Sequence, residues 1–272
     1  MSNRLLEVLH EGVRFVDLGR EFRIGMPQSP NHPAFNHALP RRHGDMVRSD
    51  GGSAANDLIS TGTHVGTHID ALAHVSQDGK LYQGVDAYEA SVGGRFDKYG
   101  AHTIAPMLRR GILLDIPAAL GIDRCEGGYE ISVDDLQLAQ KRKRLEIREG
   151  DVVLIRSGWG QLFDEGAAYV GKETGVPGIS ESGAYWMAEQ GVHAVGADTI
   201  AFERIAPNGG HAELPAHRVF LVEHGIYIIE ALNLEQLADE DDHEFLLVLS
   251  PLNIYGATGS PVRPLAVYSG EG

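Results

Sequence analysis

Thr63-His-Val-Gly-Thr-His-Ile-Asp-Ala-Leu-Ala-His74 carries three residues able to ligate a metal ion and a fourth able to move protons. In an extended backbone alternate side chains share a face. His64, Gly66, His68 and Asp70 then fall on one side, and Thr63, Val65, Thr67 and Ile69 on the other. The second set is β-branched throughout and suits a segment packed on a core. A helix would stack His64 over His68 but turn Asp70 away from both. An unbroken strand fails too. At about 3.3 Å per residue the two histidines would stand roughly 13 Å apart, whereas ligands of one ion need bonds of only about 2 Å. The segment must bend, and Gly66, midway, can take the backbone angles of a bend. The expectation is a strand that breaks at Gly66 and gathers His64, His68 and Asp70.

Two imidazoles and a carboxylate suit Zn²⁺, Mn²⁺ or Fe²⁺. Three protein ligands leave coordination positions open for water and substrate, as a catalytic site requires.

Outward from this stretch, strands and helices alternate loosely. Residues 3–13 show Leu5, Leu6, Leu9 and Val13 at helical spacing, and 13–18 read as a strand. Residues 23–57 hold Pro27, Pro30, Pro33 and Pro40 and read as a long loop of the kind that forms lids or pocket walls. Residues 111–116 and 151–156 are short buried strands. Ser132 and Asp135 form a capping box opening a helix, and Ser180 and Gly191 bracket another. Strands follow at 193–198, 226–230 and 245–250. A helical reading covers 214–223, and 263–268 closes the sheet. No linker, repeat or low-complexity tract interrupts this order.

The 272 residues carry a formal net charge of −15, which argues against nucleic acid or an anionic membrane as partner. No stretch approaches 18 apolar residues, so no membrane span is expected, and the N-terminus lacks the apolar core of a signal peptide. One cysteine, Cys125, permits no internal disulfide and fits a reducing cytoplasm. It has no activating neighbour. Thirteen histidines favour metal chemistry. Gly166-Ala-Ala-Tyr-Val-Gly-Lys-Glu173 nearly matches a phosphate loop, but Glu173 stands where Ser or Thr would hold Mg²⁺. Neither G-x-S-x-G nor G-x-G-x-x-G occurs, which removes the simplest serine hydrolase and dinucleotide readings. A second cluster, Gly209-Gly-His-Ala-Glu-Leu-Pro-Ala-His-Arg218, is followed by Glu230 at a strand end. A metal centre draws on distant segments, so His217 and Glu230 are candidate ligands, with His224 on the solvent face of its helix.

These residues resemble the metal-dependent cyclase family, which includes bacterial kynurenine formamidase and isatin hydrolase. The family signature H-x-G-T-H-x-D-x-x-x-H is met by His64, Gly66, Thr67, His68, Asp70 and His74, with Ala71-Leu-Ala73 where a proline is usual. Leu154-Ile-Arg-Ser-Gly-Trp159, Gly196-Ala-Asp-Thr199, His217-Arg218, Ile228-Ile-Glu230 and Ser250-Pro-Leu-Asn through Arg263 resemble it as well. The resemblance implies an α/β fold of swivelling β/β/α type, a central barrel-like mixed sheet flanked by helices. It implies a single hydrolase domain over 1–272, commonly a homodimer or homotetramer. It implies that His64, His68 and Asp70 bind a first metal ion. In the two-zinc pattern Asp70 and Glu230 bridge to a second ion held by His217; in the isatin hydrolase pattern one Mn²⁺ is bound. The spacing from His217 to Glu230 is one residue longer than in the compact formamidases, which leaves the ions at one or two and their identity at Zn²⁺ or Mn²⁺.

The expected function is hydrolysis of an amide, lactam or formamide C–N bond of a small substrate, aromatic or not, by a metal-activated water. His74 is the expected general base and acid, because an imidazole titrates in the right range. Trp159, Phe35 and Tyr185 are candidates for an aromatic slot, with core packing the competing role for each. Lactonase or cyclase chemistry on the same centre, and a non-catalytic metal-binding protein, are the alternatives.

Overall fold

Ile112-Leu-Leu and Val152-Val-Leu-Ile are apolar at every position, the pattern of strands covered on both faces. The computed structural model describes residues 4–270 and places both runs at the centre of its main sheet. The strands are Val13–Asp17 (β1), Asn36–Arg41 (β2), Asn56–Ser60 (β3), His68–Asp70 (β4), Met107–Asp115 (β5), Glu130–Ile131 (β6) and Val152–Arg156 (β7). They continue with Gly178–Ile179 (β8), Ala194–Ala197 (β9), Tyr227–Glu230 (β10), Glu244–Leu249 (β11), Gly259–Pro261 (β12) and Leu265–Ser269 (β13). Nine of them form one curled, half-barrel sheet flanked by helices, in the order β1-β13-β11-β5-β7-β9-β10-β4-β12. The mixed α/β class expected from the sequence is the one found.

Alternation along the central strands feeds two cores. Val153 and Ile155 pack with Ile112 and Leu114 on one side of the sheet. Val152 and Leu154 pack with Leu113 on the other. The run β5-β7-β9-β10 is parallel. The short strand β4 then lies antiparallel between β10 and β12, with His68 opposite Glu230 and Asp70 opposite Gly259. That register brings a histidine from one segment and a carboxylate from another onto neighbouring positions of one sheet.

The local signals hold in detail. Ser132 and Asp135 form the capping box of the helix Val133–Arg142, and the Ser180 hydroxyl accepts from the Gly183 amide at the start of Glu181–Glu189. The residues 214–223 read as helical open with Pro215–His217 and continue through Arg218–His224 as a wider π-type helix, ended by Gly225 with φ +69°. The helix expected at 3–13 spans Arg4–Glu11; Asn3 lies outside the described residues. One expectation needs correction. The region 23–57 is not all loop: β2 and β3 pair as a separate antiparallel ribbon, and His68–Asp70 is a strand of its own rather than the end of one kinked strand from 56 to 69. Polar and proline-rich residues hid the ribbon, because it buries neither face and so shows no apolar alternation.

Candidate metal centre

The bend falls at Gly66, whose φ of +63° an L side chain rarely adopts. A Cβ there would also meet Met26 Cε and Phe22 Cζ at 2.8 Å. Thr67 pins the turn from the other side, its hydroxyl donating to the Ala231 carbonyl at 2.8 Å and accepting from the Arg20 amide at 2.8 Å. The result is that the His64 and His68 rings lie 5.2 Å apart between centroids. Gly259 contributes by absence of bulk: a Cβ at this position of β12 would come within 2.6 Å of His64 Cε1.

Five expected ligands converge. Asp70 Oδ1 is 2.6 Å from His64 Nδ1 and 3.5 Å from His68 Nε2, while Asp70 Oδ2 is 3.4 Å from His217 Nε2. Glu230 does the same: Oε2 is 3.4 Å from His68 Nε2 and Oε1 is 3.3 Å from His217 Nε2. Each carboxylate thus turns one oxygen to His68 and the other to His217. All five side chains are buried.

The hydrogen bonds fix which ring nitrogen is free. His68 Nδ1 donates to the Gly66 carbonyl at 2.7 Å, so Nε2 presents its lone pair to the two carboxylates. His217 Nδ1 donates to Glu203 Oε2 at 2.9 Å, and the His217 backbone amide donates to the same oxygen at 3.1 Å. Glu203 is fully buried and matches the acceptor that commonly orients a ligating histidine. His64 faces the Thr258 hydroxyl through Nε2 at 2.9 Å. Phe202 N donates to Glu230 Oε1 at 2.9 Å.

Lone pairs facing carboxylates call for a cation between them. His68 Nε2 and Asp70 Oδ2 are buried and have no hydrogen-bond partner, although each lies within 3.5 Å of other acceptors. Ligands of a tetrahedral ion with bonds of about 2.0–2.1 Å stand about 3.3 Å apart. Four of the five imidazole–carboxylate separations among the expected ligands are 3.3, 3.4, 3.4 and 3.5 Å, and the fifth, His64 to Asp70, is a direct hydrogen bond of 2.6 Å. The donor set therefore fits a divalent cation.

Electrostatics point the same way. Burial alone would raise the Asp70 carboxyl, yet the His74 and His64 imidazoles hold it well below the usual carboxylate range. Glu230 is likewise held at about 2 against the effect of burial, chiefly by His217 and His68. Burial opposes the charge on His217 and His68, but Glu203 with Asp70, and Glu230 with Asp70, raise them. Without an ion the carboxylates draw protons onto these rings, the positive charge that a metal cation would otherwise supply. His74 behaves differently. Burial pushes its imidazole down to about 3, so it stays neutral. It stacks on His64 at 3.8 Å between centroids, and its ring nitrogens make no hydrogen bond among the described residues. Ligand-capable atoms within 4.8 Å of one another form two groups, His64–Asp70–His74 and His68–Asp70–Glu230, with Asp70 shared.

A chamber of about 160 Å³ opens on this cluster, walled by His32, His64, His74, His211, His217 and Glu230 among others. His211 belongs to the second cluster read from the sequence but is not among its candidate ligands, and His32 is not singled out there at all. His32 sits in Asn31-His-Pro33, where nothing but histidine content marks it, and burial lowers its imidazole too. Glu203 carries no motif either and is found only from its contact with His217. None of the aromatic-slot candidates lines this chamber. Trp159 is core, its indole N–H donating to the Tyr169 carbonyl at 2.8 Å. Tyr185 bonds Glu223 on a surface helix, and Phe35 packs on Phe22 beside a separate apolar groove. His224 is exposed, as expected. Cys125 is buried, its thiol pushed up to about 12 by burial, and takes no part.

Residues 16–204 match the family described as "Putative cyclase". The chain belongs to the cyclase family. It is 25% identical over 251 residues to kynurenine formamidase of Bacillus cereus, a match covering 92% of this chain and 95% of that one. A crystal structure of a novel cyclase superposes with a TM-score of 0.83 at 29% identity, covering 97% of this chain and 90% of the other. Isatin hydrolase A from Ralstonia solanacearum superposes with a TM-score of 0.74 at 24% identity, covering 97% and 95%, and shares the fold.

Proposed function

We propose that this chain is a metal-dependent amidohydrolase that cleaves an amide, lactam or formamide C–N bond of a small substrate, acting as one domain over residues 1–272. The observation that carries the proposal is the set of imidazole lone pairs and carboxylate oxygens held 3.3–3.5 Å apart around a chamber open to substrate. The family relatives that include a kynurenine formamidase support the class of bond. His64, His68, Asp70, His217 and Glu230 are the proposed ligands of one or two Zn²⁺ or Mn²⁺ ions. A bound ion supplies Lewis acidity, which makes water a nucleophile near neutral pH and polarises the scissile carbonyl.

The chain's own residues do the rest. Glu203 fixes the tautomer of His217, and the Gly66 carbonyl fixes that of His68. His74, at the chamber wall, does not keep the ordinary imidazole range expected from the sequence: burial holds it neutral with a pKa of about 3. Its free ring nitrogen is therefore a weak acceptor for the proton of the attacking water and a strong donor of it to the leaving nitrogen. The proposed setting is cytoplasmic: Cys125 is a free, buried thiol, and no helix among the described residues is long and apolar enough to cross a membrane. The proposed assembly is a homodimer or homotetramer. Leu39, Leu58 and Ile59 on the β2–β3 ribbon are each more than half exposed, and a lone two-stranded ribbon is marginal in water.

The test is metal analysis together with chelator-sensitive turnover of a panel of formamides, lactams and lactones. His74→Ala is expected to keep its metal and lose roughly 10²–10⁴ in kcat. Normal turnover by that variant would remove His74 from the proton path. Turnover confined to lactones would replace the amide reading with the lactonase one.

A further inference from the structure

The chamber at the cluster is small. At about 30 Å³ per water it holds roughly five, enough for a reacting amide group and its water, so the remainder of a larger substrate must lie elsewhere. A second chamber of about 350 Å³ adjoins it, and the two share Asn31, Ile200 and His211 in their walls. The larger apolar groove beside Phe22 and Phe35 shares no wall residue with the catalytic chamber. The side chamber, which shares these walls, is therefore the neighbouring space best placed to receive that remainder.

Its chemistry is specific. Val170, Ile200 and Ile205 supply apolar walls, and no carboxylate lines it, in a chain of net charge −15. Lys172 lines it as well. Neighbouring basic side chains are taken up by acids: Arg23 pairs with Asp164, Arg204 with Glu130, and Arg218 with Glu181 and Glu223. Lys172 makes no ion pair among the described residues.

We propose that the side chamber seats the body of the substrate and selects amides whose substituent is a compact apolar group ending in a carboxylate paired with Lys172. The inference rests on the amidohydrolase reading above and goes on to name the substrate class.

The probes are 3-phenylpropionate and its uncharged counterpart 3-phenylpropanol, titrated calorimetrically into the metal-loaded protein at low salt. Lys172 is exposed at the rim of the chamber, so Lys172→Met is expected to weaken the carboxylate about fivefold, in line with an exposed ion pair, and the alcohol less than twofold. Val170→Phe, which fills the chamber from a half-buried wall position, is expected to weaken both about tenfold without changing metal content per chain. Carboxylate binding indifferent to Lys172→Met, or both probes binding Val170→Phe as well as the parent, overturns the proposal. Formamide or lactam turnover that ignores both substitutions overturns the side chamber and leaves the hydrolase standing. The expected binding pattern in a protein that hydrolyses no formamide or lactam supports the chamber and sinks the hydrolase reading.

Discussion

Two groups of buried charge stand at the ends of strands in this sheet, and they are built on opposite principles. At the ends of β5 and β7, Arg156 donates to Asp115 at 3.0 Å and holds Glu235 through two hydrogen bonds of 3.0 and 2.7 Å. Burial opposes the charge on this guanidinium, but the Glu235 and Asp115 carboxylates raise it further above its usual range. Every acceptor there faces a donor. Around β4 and β10 the pairing is incomplete. Asp70 takes His64 and Glu230 takes the Phe202 amide, but both carboxylates also look at the Nε2 atoms of His68 and His217, whose Nδ1 protons are spent on Gly66 and Glu203. The first arrangement is complete with protein atoms alone. The second is complete only with a cation. Buried acids are thus no guide to function in themselves; the direction of the lone pairs around them is.

The largest effect that would break this contrast comes from Asp70→Asn. It removes the carboxylate shared by both ligand groups and is expected to abolish metal binding and turnover together. In the metal-free protein the same change removes a carboxylate that the surrounding imidazoles hold ionised, so its melting temperature should fall as well, and the diagnostic is the gain on adding metal. Metal binding that is tight for the parent stabilises by about 4 kcal/mol at a thousandfold excess over Kd. The gap between metal-loaded and metal-free melting temperatures should therefore vanish in Asp70→Asn. Retention of that gap would show that the cluster is not the ion site.

Arg156→Met should give the mirror image. It strands two carboxylates beside a buried position and is expected to cost about 3 kcal/mol in urea unfolding, with metal affinity unchanged within twofold. A loss of metal without a loss of stability would mean that the two groups are not separate. Glu203→Ala sharpens the distinction inside the centre. It leaves His217 Nδ1 without its acceptor and is expected to weaken metal affinity up to about 100-fold, with Glu203→Gln recovering most of it, as expected of groups that orient a ligand. Chelator competition reads both. Metal affinity unchanged in both variants would remove Glu203 from the metal centre.

The half of this contrast that concerns metal was legible in the sequence, and the other half was not. His64, His68, Asp70 and His74 lie within one short stretch, and the strand geometry forces a bend that only Gly66 can supply. That argument needed no tertiary information, and the turn at φ +63° bears it out. His217 and Glu230 were weaker on their own and became candidates only beside the first cluster, because a metal centre draws on distant segments; the family resemblance then gave them roles. Glu203 and His32 were invisible because their roles are set by contacts across the fold, to His217 and to the His64 ring, while His211 lay in the second cluster but carried no signal of its contact with Ser29. The central strands announced themselves by unbroken apolar runs, whereas the β2–β3 ribbon, exposed on both faces, had no pattern to show. The aromatic-slot candidates failed for the reason that aromatics usually do: their size is used in cores and at edges before it is used on ligands.

The smallest effect isolates what a carboxylate does for an imidazole. His193, half-buried against Tyr227 at 5.4 Å, has Arg109 as its charged neighbour and no carboxylate partner. Burial, helped by that arginine, lowers its pKa from 6.5 to about 4, opposite in direction to His217 with its three acids. Between about pH 6.5 and 4 the unfolded chain takes up a proton here that the folded chain refuses, so stability falls as pH drops through this window and levels off below it. Half exposure limits the effect to about 1 kcal/mol at most. His193→Phe should remove that contribution, and the difference in urea midpoint between parent and variant should shrink as pH rises from 4.5 to 7. A difference that stays constant with pH would mean that His193 titrates alike folded and unfolded. Burial alone would then not suffice to neutralise an imidazole in this protein, and the low pKa given to His74 on the same physical ground would fall with it.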